Sequence, residues 1–466
     1  MAVHPFYLTC LAHASYLVTD ERSKTAAVID PQRDVDVYFE QAAKLGVEIK
    51  HVLLTHFHAD FVAGHLEIRE RSGATIYLGT AAGPAEYPHT GLTDGDTIEF
   101  GDVRLVAMET PGHTPEGISY VLYDLARDER TPEAVFTGDT LFVGDVGRPD
   151  LLASFGVTAD ELATQLYHSL HDKLLKLPDE TIVYPAHGAG SLCGKSLGTE
   201  RSTTIGKQKE TNCSVKPMPV EDFIARVTAD QPQAPKYFGF DAVLNRKNRS
   251  ILDVTIAKGM RALTADEFLQ QRAAGAQVID TRESDDFAKA SVKDAIHVPL
   301  SGSFATWSGA MLDLDKPTLI VADAGKEHEA NVRLGRIGID TAIGFLEGGV
   351  DALQAHADEL QHSGVIDVDI LQEKLDAGED LYLLDVRTPT EFEGSHIDGA
   401  HNLSLIQLPE RTDEVPTDRP VYVICRTGAR SSTAISMLRR AGLANELVNV
   451  RGGMSRWLEH IAPISS

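Results

Sequence analysis

Six residues in the first half of the chain have the side chains and the spacing to hold a metal. His56, His58 and Asp60 form a His-x-His-x-Asp run, His113 lies in Pro111-Gly112-His113-Thr114, Asp139 in Gly138-Asp139-Thr140, and His187 in Pro185-Ala186-His187-Gly188. Imidazole nitrogens and carboxylate oxygens are the ligands that transition metals take from proteins. A lone histidine would read as structural. Several of them, at the ends of separate strands whose loops are expected to meet at one rim, read as a metal site. A second chemistry stands near the other end of the chain, where apolar Val421-Tyr422-Val423-Ile424 runs into Cys425-Arg426-Thr427-Gly428-Ala429-Arg430 and helical text follows. A loop whose N–H groups converge on its first residue at a helix N-terminus stabilises an anion. Cys425 is therefore the expected catalytic thiolate, with Arg430 adding a fixed positive charge.

The elements that must position these residues are legible in outline. Residues 26–31, 51–56 and 181–187 are short apolar runs that stop at polar residues, as buried strands do. Helical periodicity lies between them, from Asp34 to Leu45 and from Thr158 to Leu177, and this alternation implies layered α/β packing. The first domain is expected over residues 1–205. Residues 206–259, punctuated by Lys216-Pro217-Met218-Pro219 and Gln231-Pro232-Gln233-Ala234-Pro235, read as a connecting segment wrapped on a surface. Beyond it the sequence repeats. Val278-Ile279-Asp280-Thr281-Arg282 matches Leu383-Leu384-Asp385-Val386-Arg387, and Leu346-Glu347-Gly348-Gly349 matches Val450-Arg451-Gly452-Gly453. Two copies of one α/β unit are expected over 260–360 and 361–466, as tandem globular domains rather than a solenoid. In the first copy Asp323 is expected where Cys425 stands in the second, and that copy has no cysteine. It is expected to be catalytically inactive and to position its neighbours.

The metal-ligand pattern resembles the metallo-β-lactamase superfamily across the whole first domain. Cys425-Arg426-Thr427-Gly428-Ala429-Arg430, with Asp385, Arg387, His396-Ile397-Asp398-Gly399-Ala400 and Gly452-Gly453-Met454, resembles a rhodanese domain over its full length. The implied fold class is α/β multidomain: an αββα metallo-β-lactamase sandwich followed by two tandem α/β rhodanese-like domains. Glyoxalase II-like members of the superfamily carry a histidine directly after His-x-His-x-Asp, and it serves a second metal. Phe61 stands at that place here, and an apolar ring has no lone pair to give, so one metal is favoured.

The nearer resemblance is to the persulfide dioxygenases of the superfamily, whose iron is held by two histidines and one aspartate. Carried over, it implies His56, His113 and Asp139 around one Fe(II) per chain, a face that leaves adjacent coordination positions open. His58, Asp60 and His187 then orient ligands or bond the bound oxygen. The residues alone leave His58 open as a fourth ligand with zinc. Gly147-Arg148-Pro149-Asp150 is similar to a GRxD stretch of these dioxygenases, so Arg148 and Asp150 shape the substrate site or pair with each other to brace a loop. Cys193 faces the metal and meets thiol substrate, or is an inert buried cysteine. In the rhodanese-like part, the short loop after Cys425 suits sulfane sulfur rather than an oxyanion, while Asp385 and Arg387 stabilise the domain.

Together the resemblances imply oxidation of a low-molecular-weight thiol persulfide by O2 to sulfite, joined to sulfur transfer through Cys425 to or from thiosulfate. A glyoxalase II-like zinc thioester hydrolase with an attached sulfurtransferase is the competing enzyme. Composition sets the outer bounds. At 466 residues, and roughly 150 residues per domain, about three domains are expected. The formal charge of -26 disfavours nucleic acid, whose phosphates demand a basic surface. No apolar run approaches the ~20 residues needed to cross a bilayer, and Met1-Ala2-Val3-His4-Pro5 lacks a secretory pattern, so a cytoplasmic protein without a membrane is expected. Four widely spaced cysteines make a disulfide framework unexpected. The oligomeric state is open, with a homo-oligomer as the default.

Overall fold

The computed structural model describes residues 1–151, 156–229, 231 and 233–460. Pro232 of the expected connecting segment and residues 461–466 of the expected last domain lie outside the described residues. The chain gathers into two compact units, one of residues 1–252 with 335–338, the other of residues 253–334 with those from 339 on.

Two six-stranded sheets build the first unit. The first holds β1 (Ala2–Leu8), β2 (His13–Asp20), β3 (Thr25–Ile29), β4 (Glu48–Leu53), β5 (Thr75–Gly79) and β6 (Thr90–Leu92) in sequence order. The second holds β7 (Thr97–Phe100), β8 (Val103–Glu109), β9 (Ile118–Asp124), β10 (Ala134–Gly138), β11 (Ile182–Pro185) and β12 (Thr203–Thr204). Alternation along the strands decides how these sheets stack, because successive side chains of a strand point to opposite faces. Tyr120, Leu122, Ala134 and Phe136 of the second sheet meet Tyr16, Val18, Ala27, Ile29 and Leu53 of the first in one buried core. The intervening Val121 and Val135 point the other way and pack with Ala163, Leu166 and Leu170 of the helical stretch that begins at Ala159, and with Phe223 and Val227. The helices Asp36–Leu45 and His65–Ser72 lie against β4 on the first sheet. The result is the expected αββα sandwich.

The stretch expected to be a surface connection is largely helical: Ile205–Thr211, Val220–Thr228, Tyr237–Leu244 and Leu252–Gly259. Pro217, Pro219 and Pro235 sit between the helices, Pro219 capping the second, where a missing N–H costs nothing. Phe223, Val227, Phe238 and Ala242 are buried. Up to Leu252 this stretch belongs to the first unit.

The second unit contains two five-stranded sheets whose paired strands run parallel. Numbering the strands of each copy by their place in the chain, both sheets have the order first, fifth, fourth, second, third. The repeat read from sequence is thus a repeat of topology. Its register changes one expectation. Asp280 pairs with Val321 in the first copy as Asp385 pairs with Ile424 in the second. The left-handed glycines, Gly325 at φ 84° and Gly428 at φ 110°, then fall at matching places in the following loop. Ala322, not Asp323, therefore occupies the position of Cys425, and Asp323 is the exposed residue after it. The copy still has no thiol there, but it lost the nucleophile to an apolar residue rather than to a carboxylate. Among the described residues no helix is long and apolar enough to cross a membrane.

Candidate functional site

Each ligand expected from the sequence lies just past the end of a strand, where the chain leaves its ladder and side chains turn to the rim. His56, His58 and Asp60 follow β4, His113 follows β8, Asp139 follows β10 and His187 follows β11. Three of them form a closed donor set. His113 Nε2 lies 3.5 Å and His56 Nε2 3.9 Å from Asp139 Oδ2, and all three residues are buried. These separations are too long for hydrogen bonds. They suit donors flanking a cation, since bonds of about 2.1 Å at right angles put neighbouring donors roughly 3 Å apart. Asp139 Oδ2 is buried with no hydrogen-bond partner, a loss a bound cation would make good.

The opposite nitrogen of each histidine is already engaged. Because a carbonyl only accepts, His113 Nδ1–H donates to Arg148 O at 2.9 Å. Thr55 Oγ1 gives its one proton to Asp30 Oδ2 at 2.8 Å, so His56 Nδ1–H donates to Thr55 Oγ1 at 2.9 Å. Both bonds place the lone pair on Nε2, facing Asp139. Burial lowers the affinity of both rings for a proton, which keeps them neutral donors. Burial would raise Asp139, but His187, bonded to it, outweighs burial and holds the carboxylate well below its ordinary value. The donor set fits a metal.

The other three expected residues stand around this set. His58 Nε2 is 3.0 Å from Asp30 Oδ1, turned to a carboxylate outside the three-donor group. His187 lies between two carboxylates, Nδ1 2.7 Å from Asp139 Oδ1 and Nε2 2.9 Å from Asp60 Oδ2. Burial opposes a proton on His187, yet Asp139 and Asp60 together carry it well above the usual histidine value. Asp60, His187 and Cys193 bring their ligand atoms within 4.8 Å of one another, a second donor group. Burial, with Asp60 and Asp139 adding to it, pushes the Cys193 thiol far up, so it sits there as a protonated thiol. Phe61 fills space beside them, its ring centroid 4.0 Å from that of His13 and 4.3 Å from that of His58. Arg148 and Asp150 pair in two contacts of 2.7 and 2.6 Å, and Arg148 also donates to Leu192 O at 3.2 Å. That brace holds the carbonyl on which His113 rests.

Sequence reasoning missed Asp30, Thr55 and His13. The first two carried a signal, a polar residue ending the apolar run of β3 and the residue before His56. His13 is fully buried with neither ring nitrogen partnered, and it bridges backbone to backbone with His187. Nothing in its sequence neighbourhood marks it.

In the second unit, Cys425 follows the strand Val421–Ile424 and is fully buried. Gly428 N–H donates to Cys425 Sγ at 3.1 Å, and Ser431 Oγ stands 3.4 Å from the same sulfur. Asn449 secures the turn by donating to Gly428 O at 3.1 Å while accepting from Ser431 Oγ at 2.6 Å. The next glycine pair closes the loop from outside: Met454 N–H donates to Cys425 O at 2.8 Å and Ser455 N–H to Arg426 O at 3.0 Å. Ser431 and Asn449 were not singled out from sequence. Glu391 alters one expectation, for it takes both terminal nitrogens of Arg430 at 2.7 Å, so the positive charge beside Cys425 is matched by a carboxylate. Arg387 pairs with Asp385 at 2.6 Å and donates to Ser395 O and Glu391 O, a brace of the domain as expected.

Comparison with known proteins bears on both units. The metallo-beta-lactamase superfamily pattern matches residues 8–187, and the rhodanese-like domain pattern matches residues 264–356 and 367–460. The mitochondrial persulfide dioxygenase of Bos taurus is 32% identical over 194 residues, which cover 40% of this chain and 68% of that protein. The cytoplasmic hydroxyacylglutathione hydrolase of Arabidopsis thaliana is 36% identical over 184 residues, 39% of this chain and 66% of that protein. Among solved structures, a metallo-beta-lactamase from Staphylococcus aureus matches with a TM-score of 0.67 at 30% identity, covering 74% of this chain and 98% of that one.

Proposed function

We propose that this chain, which belongs to the metallo-β-lactamase superfamily and carries two rhodanese-like domains after its metallo-β-lactamase unit, oxidises a low-molecular-weight thiol persulfide with O2 to sulfite and transfers sulfane sulfur through Cys425. One observation carries the dioxygenase half. His56, His113 and Asp139 form a three-donor face, while Phe61, the residue directly after the His-x-His-x-Asp run, has no lone pair to give a second metal. Fe(II) held there would supply adjacent open positions for dioxygen and for the substrate's terminal sulfur.

The protein's part is then orientation and charge. Asp30 through Thr55, and the Arg148 carbonyl, fix the tautomers of His56 and His113. His187, held between Asp139 and Asp60, orients the ligand carboxylate of Asp139. Water completes the reaction, releasing sulfite and the free thiol. In the second unit the Gly428 N–H stabilises sulfur anion at Cys425. The Cys425 thiolate takes the outer sulfur of a thiol persulfide, releasing the thiol, and then gives that sulfur to sulfite, forming thiosulfate and restoring the thiolate, a covalent route in two steps. Four unpaired cysteines suit a reducing compartment, and the cytoplasm is the location we propose.

A zinc thioester hydrolase has an observation of its own, because Asp60, His187 and Cys193 offer a second donor group. Both ring nitrogens of His187 already face carboxylates, Nδ1 that of Asp139 and Nε2 that of Asp60, which weighs against that group as a metal site. Anaerobic purification, metal analysis and O2 uptake with a panel of thiol persulfides decide between the readings. About one iron per chain and persulfide-dependent O2 uptake are expected. In the same assay, Cys425→Ser should keep sulfite formation and lose thiosulfate. Zinc, no O2 uptake and rapid thioester cleavage would overturn the proposal.

A further inference from the structure

The copy that lacks a cysteine reaches into the thiol-bearing copy through one buried side chain. His297 ends the short strand Ile296–His297 and is fully buried, its ring stacked on Phe287 with centroids 4.3 Å apart. Its Nε2 is 2.9 Å from Arg282 O; a carbonyl only accepts, so the proton is on Nε2 and the lone pair on Nδ1. That lone pair takes the Ser432 hydroxyl at 2.9 Å. One turn along, Ser436 Oγ accepts the His297 backbone N–H at 3.0 Å. Both serines lie on the helix Ala429–Arg440, which begins directly after the Cys425 loop. Ser432 is the neighbour of Ser431, whose hydroxyl stands 3.4 Å from Cys425 Sγ, and its own N–H donates back to Gly428 O. Arg440, at the helix's other end, donates to Asp294 O at 2.9 Å.

The matching residue of the other copy shows what is special here. Asn402 pairs with Asp385 as His297 pairs with Asp280, and it too donates to the carbonyl of the arginine two residues on, Arg387 O at 3.0 Å. The intradomain brace is thus common to both copies. The outward bond from Nδ1 belongs to His297 alone.

We infer that His297 is a positioning residue for sulfur transfer: the thiol-free copy holds the first turn of the helix behind Cys425, and with it the Gly428 N–H and the Ser431 hydroxyl that face the sulfur. The inference rests on the proposed sulfurtransferase reading for its activity readout, though not for its geometry. An asparagine at 297 keeps an acceptor where Nδ1 stands. A glutamine keeps a donor where Nε2 stands and loses that acceptor.

The experiment compares His297→Asn, His297→Gln, Ser432→Ala and the double variant His297→Gln/Ser432→Ala, each as the full chain. Thiosulfate-to-cyanide sulfur transfer is measured, together with the rate of Cys425 alkylation by iodoacetamide, followed by peptide mass. His297→Gln and Ser432→Ala should lower kcat about tenfold with little change in KM for thiosulfate, and should shift the alkylation rate together. His297→Asn should stay within about twofold of the parent chain, and the double variant should be no worse than the weaker single. Parent-like kcat and alkylation in His297→Gln, or single losses that multiply in the double variant, would overturn the inference. A parent chain without sulfur transfer would sink the sulfurtransferase reading instead, and the alkylation series would still decide the positioning role.

Discussion

Asp30 holds its backbone at φ 49°, in the left-handed region that costs a non-glycine residue about 1–2 kcal/mol. In return its carboxylate takes the Thr55 amide and the Thr55 hydroxyl, each at 2.8 Å, and faces His58 at 3.0 Å. The strain therefore serves the metal face, since Thr55 is what His56 Nδ1–H bonds. Thr55→Val keeps the shape of the side chain but removes the acceptor from His56 and the hydroxyl from Asp30. Metal affinity is expected to fall ten- to a hundredfold, roughly the cost of losing an outer partner of a ligating histidine. Chelator competition on the purified protein measures it, and an unchanged affinity would show that His56 orients itself. Much of this site could be read from residue types, because ligands end apolar runs. The tautomer relay could not, because Asp30 and Thr55 are 25 residues apart and meet only through the pairing of β3 with β4.

At the level of elements, the same limit explains both what sequence showed and what it withheld. Strands such as Val421–Ile424 are continuous apolar runs, so their existence and their chemistry-bearing ends are visible. Register is not: placing Asp323 rather than Ala322 opposite Cys425 is a one-residue slip that only the pairing of Asp280 with Val321 corrects. The helices of 206–259 were hidden by prolines that lie between them. The Gly452-Gly453 pair was visible as a motif, but its reason is a close approach of backbones. Gly453 holds φ at 54°, and a Cβ there would lie 2.3 Å from Cys425 O and 2.7 Å from the Arg426 carbonyl. Backbone cannot yield as a flexible side chain does. Gly453→Ala must push the helix Gly453–His460 away from the loop, breaking the Met454 and Ser455 bonds to it. Sulfur transfer should drop by about a hundredfold or more while persulfide-dependent O2 uptake persists, since a displacement near 1 Å has that effect on a reacting group. Parent-like transfer in this variant would mean that the loop holds itself.

Across the whole molecule, the way the two rhodanese-like copies are joined makes the stability of the second unit depend on acidity. Burial drives His297 down to about 4, with Asp280 and the Arg282 carbonyl opposing that shift and the Arg282 charge adding to it. The folded unit thus keeps the ring neutral as pH falls, while the unfolded chain takes up a proton near 6.5. The unfolded state binds more protons throughout that interval. The stabilising contribution of a neutral His297 is complete above about pH 6.5 and is lost as pH falls towards 4. At ~1.4 kcal/mol per pH unit the loss reaches about 3 kcal/mol. Both tryptophans of the chain, Trp307 and Trp457, lie in this unit, so tryptophan fluorescence reports its unfolding separately from that of the metal-binding unit. The urea midpoint followed this way should fall steadily from pH 6.5 to 4.5, an interval above the carboxylate Glu391, which Arg430 holds against burial at about 2. His297→Asn should flatten that slope by about one proton, because asparagine does not titrate. An unchanged slope in His297→Asn would assign the acid sensitivity to other groups and leave the joint between the two copies indifferent to pH.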